Sequence, residues 1–171
     1  MTVRGGARTE DEKLAKRKEA LAHPVVPKVI KAMARLNVRL FRLTNGRVGS
    51  TWRIGAGLRK PVPVLLLEHV GRKSGATFTT PLLYLEHGAD LVVVASQGGL
   101  PRNPQWYPNL LAHPETHVDL RGERRRPVRA REAEPQERER LWPLLVDLYA
   151  DFATYQQTTD RVIPVVVLEP R

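Results

Sequence analysis

From Pro61 onward the chain is a succession of short aliphatic or β-branched runs, such as "PVPVLLLEH" and "LLYLEHGADLVVVAS", separated by very brief breaks. Runs of this kind, bounded by Gly, Asp and Pro, read as strands. They place strands near 62–69, 76–86, 91–96, 115–120, 124–133 and 161–168, with turns at Gly71–Gly75, His87–Asp90 and Arg121–Glu123. A parallel neighbour needs a long crossover, so turns this short dictate antiparallel pairing. Two helical stretches interrupt the strands, near 104–112 ("PQWYPNLLA") and near 135–155 ("PQERERLWPLLVDLYADFATY"). Pro143 lacks an N–H and crowds the preceding turn, so it is expected to kink or split the second helix. Six antiparallel strands with helices inserted late describe a mainly β fold with helices, a small closed or split β-barrel rather than a doubly wound sheet.

The net charge of +10 belongs to the other end of the chain. Residues 1–60 hold 15 Lys and Arg against 4 acids, whereas residues 61–171 hold 13 against 14. Between Pro27 and Thr44, Val29, Ile30, Met33, Leu36, Leu40 and Leu43 recur at three- or four-residue intervals, and Lys28, Lys31, Arg35, Arg39 and Arg42 form a second stripe at the same period. That is a basic amphipathic helix. It suits a helix packed on the barrel with a solvated charged face, attachment of residues 1–45 to an anionic membrane surface, or, with least support, nucleic acid. Gly46 to Lys60, with four glycines and no clear period, reads as a connector. The expected division is an arm and connector over 1–60 and a barrel over 61–171.

Several chemistries are excluded by composition. The chain has no cysteine, so zinc–thiolate sites, thiol nucleophiles and disulfides are absent together, which suits a reducing compartment. No run approaches the roughly 18 apolar residues of a membrane span, and "MTVRGGARTEDEKLAKRKEA" is too polar for a signal peptide. The expectation is a cytoplasmic protein, at most peripheral on the inner face of the membrane. There is no phosphate-binding G-x-x-x-x-G-K-[ST], and "GAGLRK" lacks the third glycine and preceding strand of a dinucleotide fingerprint. The five histidines, His23, His69, His87, His113 and His117, form no metal-ligand cluster and read as turn or surface residues.

What remains is a set of polar and aromatic residues just after strands. In "VGRKSGATFTTP", Gly71 and Gly75 can take positive φ, and a glycine-rich turn can aim successive N–H groups at an oxyanion, with Arg72 and Lys73 adding charge. Ala95-Ser96 runs into Gly98-Gly99, and the helix beginning near Pro104 carries Trp106 and Tyr107 in its first turn. Tyr149, Phe152 and Tyr155 recur every three residues and are expected to share a helix face. Each feature alone suits ordinary packing. Together they are the parts of a pocket for a planar, phosphorylated ligand.

The order G-R-K-S-G at 71–75, T-T-P-L at 79–82, V-V-A-S-x-G-G at 93–99, N-P-x-W-Y-x-N-L at 103–110 and Y-x-x-F-x-x-Y-Q at 149–156 resembles the deazaflavin-dependent nitroreductase family. The resemblance covers about residues 60–170. It implies a split β-barrel that binds reduced coenzyme F420 and delivers hydride to a quinone, enone or nitro acceptor. On that resemblance Arg72, Lys73 and Ser74 would meet the phosphate and acidic tail. Phe78, Thr79, Thr80, Pro81, Leu82 and Leu83 would line the deazaflavin, as would Val94, Ala95, Ser96 and Gln97 and, from the next helix, Gln105, Trp106, Tyr107 and Asn109. Ser96 with Tyr149, Phe152 and Tyr155 would face the acceptor, Ser96 and Tyr155 stabilising the oxygen that becomes negative. Relatives often read A-S-K-G-G and A-P-K-H-P where this chain has Gln97, Arg102 and Asn103, and Phe152 replaces the middle of three tyrosines, which favours quinone or enone over nitro reduction. The alternatives are a flavin mononucleotide oxidoreductase on the same barrel, whose phosphate also suits a basic turn, and a non-enzymatic lipid- or nucleic-acid-binding protein.

Overall fold

The computed structural model describes residues 35–58 and 60–171. Residues 35–43 are helical (α1); seven strands follow, β1 (Thr51–Trp52), β2 (Val62–Val70), β3 (Thr77–His87), β4 (Asp90–Val94), β5 (Glu115–Leu120), β6 (Glu123–Glu132) and β7 (Val165–Pro170). Three further helices, α2 (Trp106–Ala112), α3 (Pro135–Leu148) and α4 (Asp151–Gln157), lie between β4 and β5 and between β6 and β7. The strands run in the order β1-β2-β3-β4-β7-β6-β5, all pairings are antiparallel, and β5 returns to β2 through Leu66↔Asp119 and Leu67↔Val118. Six strands thus close a barrel, and β1 is an appendix on β2.

The side-chain alternation of strands divides the apolar residues into two cores. Leu65 and Leu67 of β2, Leu91 and Val93 of β4, and Val166 and Leu168 of β7 fill the interior together with Trp106 and Leu110 of α2. The alternate residues Val92, Val94, Val165 and Val167 face outward and are covered by Leu141, Leu145, Phe152 and Ile163. Both faces of β4 and β7 are therefore buried, which is why "LVVV" and "VVVL" are continuous apolar runs instead of alternating ones.

The long C-terminal helix departs from the sequence expectation. Pro143 lies inside an unbroken α3, and the break falls at Tyr149 (φ −147°, ψ 96°), whose N–H closes the helix on the Leu145 carbonyl at 2.9 Å. Proline costs one helical hydrogen bond and some crowding. Leu141 and Leu145, fully buried on the barrel, hold the turns on either side of it in place. Tyr149 consequently sits at a corner, while Phe152 and Tyr155 belong to α4.

The expected helix over 27–44 is described only from residue 35; Val29, Ile30, Met33, Lys28 and Lys31 lie outside the described residues. In the described part Leu36, Leu40 and Leu43 are exposed, and Phe41, outside the expected apolar stripe, is the buried residue. Arg42 is not simply solvated: its Nε donates to Asp119 at 3.0 Å and its Nη2 to Thr79 at 3.3 Å. The helix ends where Asn45 and Gly46 take left-handed φ, and a Cβ on Gly46 would stand 2.6 Å from the Arg121 Cα. Only glycine allows this approach to the β5–β6 turn.

Candidate active site

β3 carries the central asymmetry. It pairs with β2 from Thr77 to Leu83, but meets β4 only from Tyr84↔Val93 to His87↔Asp90. On the β4 side, the edge from Thr77 to Leu83 has no strand partner among the described residues. An unpaired edge beside a packed barrel is a split that a planar ligand can enter, with backbone groups on offer. Phe78 is about half exposed there, and Thr79 through Leu83 are half-buried. Side chains along this run alternate: Leu82 packs on the interior core and Leu83 on the outer one, so the six residues from Phe78 to Leu83 form an edge and not one face.

The turn at the start of β3 is built differently from an amide nest. Gly75 has φ +67°, as the turn requires, but Gly71 is needed for space: a Cβ there would be 2.6 Å from Ser74 Oγ and 2.9 Å from the Phe78 ring. The N–H groups of Ser74 and Gly75 both donate to the Gly71 carbonyl, at 3.1 and 2.8 Å, and that of Arg72 to Asn109 Oδ1 at 3.2 Å. Those amides are spent internally. Charge is what the turn offers: Arg72 and Lys73 are exposed, and no described carboxylate lies within ion-pair distance of either.

α2 supports this turn from below. Asn109 is buried, accepts at Oδ1 from the Arg72 N–H and from Arg72 Nη1 (3.3 Å), and sets Nδ2 3.1 Å from His69 Nδ1. His69 is a correction to the sequence reading, which took every histidine for a turn or surface residue. Only 5% exposed, it points inward in register with Leu65 and Leu67, stacks on Phe78 at 5.6 Å and bonds Thr80 Oγ1 through Nε2 at 3.1 Å. Burial pushes its pKa below the usual histidine value. The period-two pattern Leu65, Leu67, His69 was the available signal. Trp106 and Tyr107 are buried in the interior core, and the Tyr107 hydroxyl donates to Glu132, so both fasten α2 to the barrel. Burial first, then Glu132, raises the Tyr107 pKa, keeping the phenol protonated.

The second loop, after β4, turns through three successive left-handed residues, Gln97 (φ +46°), Gly98 (+66°) and Gly99 (+80°). Val94 and Ala95 before it are buried on opposite sides of the sheet, leaving Ser96 as the first half-buried residue. With its amide turned to satisfy both ends, Gln97 donates to the carbonyls of Arg102 and Asn103, both at 3.1 Å, and so ties this loop to the segment leading into Gln105 and α2. Gly99 lies directly on α4: a Cβ would stand 2.8 Å from the Tyr155 carbonyl and collide with Thr158 Oγ1. Arg161, missed by the sequence reading, donates from Nη2 to the Ala95 and Ser96 carbonyls and from Nε to that of Leu100.

Tyr149, Phe152 and Tyr155 do come together, although across a helix break and not along one continuous face. Ring centroids are 5.2 Å apart for Tyr149–Phe152 and 6.3 Å for the other two pairs, and the two hydroxyls approach to 3.5 Å. The cluster is buried, and the segment read as a connector roofs it: the Ala56 N–H donates to Asp151 Oδ2 at 3.4 Å, and a Cβ on Gly55 would be 2.8 Å from the Tyr149 hydroxyl. Burial first, then hydrogen bonding to Tyr155 and Asp151, pushes the Tyr149 pKa well up, so this phenol stays neutral.

The F420H(2)-dependent quinone reductase family matches residues 33–170. The chain belongs to that family. Rv3178 of Mycobacterium tuberculosis, which carries the same family designation, is 56% identical over 119 residues, covering 70% of this chain and 99% of the relative. The F420H(2)-dependent quinone reductase Rv1261c of the same organism is 39% identical over 142 residues, 81% of this chain and 91% of the relative. Among solved structures, an F420-H2 dependent reductase (FDR-A) is similar with a TM-score of 0.57 at 39% identity, covering 63% of this chain and 94% of the other. The chain is therefore an oxidoreductase that takes hydride from reduced coenzyme F420 and gives it to a quinone, and the flavin mononucleotide and non-enzymatic alternatives give way to that.

The residues present suit this cofactor. Among the described residues Arg72 and Lys73 have no acid partner, which fits an anionic tail, the open β3 edge fits a flat ring, and Asn103 Oδ1 is a buried acceptor without a hydrogen-bond partner.

Proposed function

We propose that the split between β3 and the 96–99 loop is where reduced F420 lies, with its anionic portion at Arg72 and Lys73 and its acceptor approached from the Tyr149, Phe152 and Tyr155 side. The observation that carries this is the β3 edge from Thr77 to Leu83, which lacks a strand partner among the described residues and begins at a turn whose two cations have no described acid partner. The cofactor supplies the hydride when bound. The chain supplies binding, orientation and exclusion of water. Ser96 and Tyr155 are positioned from one piece of structure, because the 96–99 loop rests on the Tyr155 backbone, and they stabilise the quinone oxygen as it gains charge. Val94, Ala95, Trp106, Tyr107 and Asn109, buried in the folded chain as Tyr149, Phe152 and Tyr155 are, shape the floor of this split.

The test is cofactor affinity. Charge-assisted hydrogen bonds are worth roughly 1.5–3 kcal/mol each, so replacing Arg72 and Lys73 together by Ala is expected to weaken F420 binding by at least about 100-fold in a folded protein. Unchanged affinity in that double variant would move the anion site elsewhere.

We also propose that the basic arm and its continuation attach the enzyme peripherally to an anionic membrane surface, where quinones dissolve. Support comes from apolar side chains turned outward beside arginines: Leu36, Leu40 and Leu43 lie on one side of α1, with Arg35 and Arg39 exposed on the same helix, and Ile54 and Leu58 are exposed in the following segment. Among the described residues no helix is long and apolar enough to cross a membrane.

A further inference from the structure

We infer that His69 is a positioning residue for cofactor binding: through Asn109 it holds Arg72 in the orientation in which the turn meets an anion. The inference rests on the reading of the 71–75 turn as the cofactor's anion site.

Asn109 has one oxygen and one NH2 group, and the structure commits both. Its Oδ1 accepts from the Arg72 N–H at 3.2 Å and from Arg72 Nη1 at 3.3 Å, and both of those groups can only donate. The amide orientation is thereby fixed, and Nδ2 must donate to His69 Nδ1 at 3.1 Å. His69 Nδ1 must then carry a lone pair, so the ring is neutral with its proton on Nε2, which donates to Thr80 Oγ1 at 3.1 Å. Every link from β3 to the turn is determined: Thr80, His69, Asn109, Arg72. The stack of His69 on Phe78 holds the ring plane, and Phe78 in turn packs within van der Waals reach of the space Gly71 leaves open.

A long guanidinium on an exposed turn otherwise samples many rotamers, and ordering it on binding costs affinity. Fixing one of its nitrogens on a buried amide, itself fixed by a buried imidazole, removes part of that cost beforehand. His69 does not reach the ligand in this arrangement. Facing it are the Phe78 ring and Thr80 from β3, Asn109 from α2 and, beyond Asn109, the Arg72 guanidinium; Glu68 is on the opposite face of β2, where it pairs with Arg125 at 3.2 Å.

The experiment is a double-mutant cycle on the dissociation constant of oxidised F420, measured by fluorescence titration of the full-length protein. His69→Phe keeps the stack and removes both hydrogen bonds; Arg72→Ala removes the group being positioned. The expected result is that His69→Phe weakens binding about tenfold in the wild-type background and less than about twofold when Arg72 is already Ala, because nothing is left to orient. Equal losses in the two backgrounds, or no loss in either, would overturn the role. If Arg72→Ala alone leaves affinity unchanged, what fails is the placement of the anion site on this turn. A second pair covers a His69→Phe protein that does not fold. His69→Asn keeps an acceptor at the Nδ1 position and is expected to bind F420 near wild-type strength, whereas His69→Gln keeps a group near Nε2 only and is expected to bind as weakly as the loss of the Asn109 contact dictates. Equal affinity of the Asn and Gln variants would refute the inference.

Discussion

Arg161 donates from Nη2 to the Ser96 carbonyl at 2.9 Å, so the residue after α4 clamps the loop that carries a proposed catalytic hydroxyl. The same guanidinium reaches the carbonyls of Ala95 (3.2 Å) and Leu100 (3.0 Å) and bridges the loop from end to end. Burial lowers its pKa, yet no described carboxylate pairs with it: its bonds are all to backbone oxygens.

Replacing Arg161 by Met is expected to destabilise the protein by about 2–4 kcal/mol, because three partly buried carbonyls lose charge-assisted donors at once. Arg161→Lys is expected to recover little, since one ammonium cannot span a fork of three acceptors. Denaturant midpoints of the two variants check both statements, and a lysine variant as stable as wild type would show that charge alone suffices.

A single hydroxyl tests the acceptor side. Phe152→Tyr adds an oxygen to the aromatic cluster without changing the helix, and it is expected to alter turnover with nitro compounds while leaving F420 affinity nearly constant. Tyr155→Phe is expected to lower quinone turnover at saturating reduced F420 more than it raises the quinone KM, because a group acting on developing charge works mainly in the transition state. Steady-state kinetics on both variants settle it; unaltered turnover in each would take these residues out of the acceptor site.

The barrel was legible because strand periodicity and turn length are local: β5 over Glu115–Leu120 coincides with the run read from the sequence, and five other strands agree within a few residues. The candidate site was legible only as a list of segments. What local pattern could not carry was the partner of each polar group. Nothing near His69 in sequence announces Asn109 forty residues later, and nothing near Ser96 announces Arg161. The turn 71–75 shows the same limit in reverse: its glycines suggested a nest, but long-range acceptance by Asn109 and local closure on Gly71 use up those amides. At Pro143, buried neighbours from the barrel overrode a local breaker.

The neutral His69 carries a pH signature. Its folded pKa is depressed and its unfolded value is about 6.5. Above both values the group contributes no pH dependence. As pH falls below about 6.5 the unfolded chain takes up a proton that the folded state refuses, so stability drops, by at most about 1.4 kcal/mol per pH unit, until the folded pKa is passed. His69→Phe lacks that proton. The stability difference between wild type and this variant is therefore expected to shrink between pH 7 and pH 5, and a difference constant over that range would show that the imidazole is not held neutral.

Membrane attachment is tested where the structure leaves apolar side chains uncovered. Leu43 is 83% exposed and Leu58 75%, values that a helix packed on its own domain does not require. Partial insertion of such residues adds to the attraction of nearby cations for anionic headgroups, about 1 kcal/mol for each Lys or Arg at the surface. The attraction is screened over about 8–10 Å at physiological ionic strength, so co-sedimentation with phosphatidylserine-containing vesicles is expected to fall as salt rises. Replacing Leu36, Leu43 and Leu58 by Ser is expected to weaken sedimentation at fixed salt without lowering thermal stability, since none of the three is buried in the protein. Activity toward a water-soluble quinone is expected to persist in that variant while activity toward a quinone dissolved in vesicles falls. Full-length protein that ignores anionic vesicles at low salt would leave the outward leucines to another partner and remove the membrane from the account.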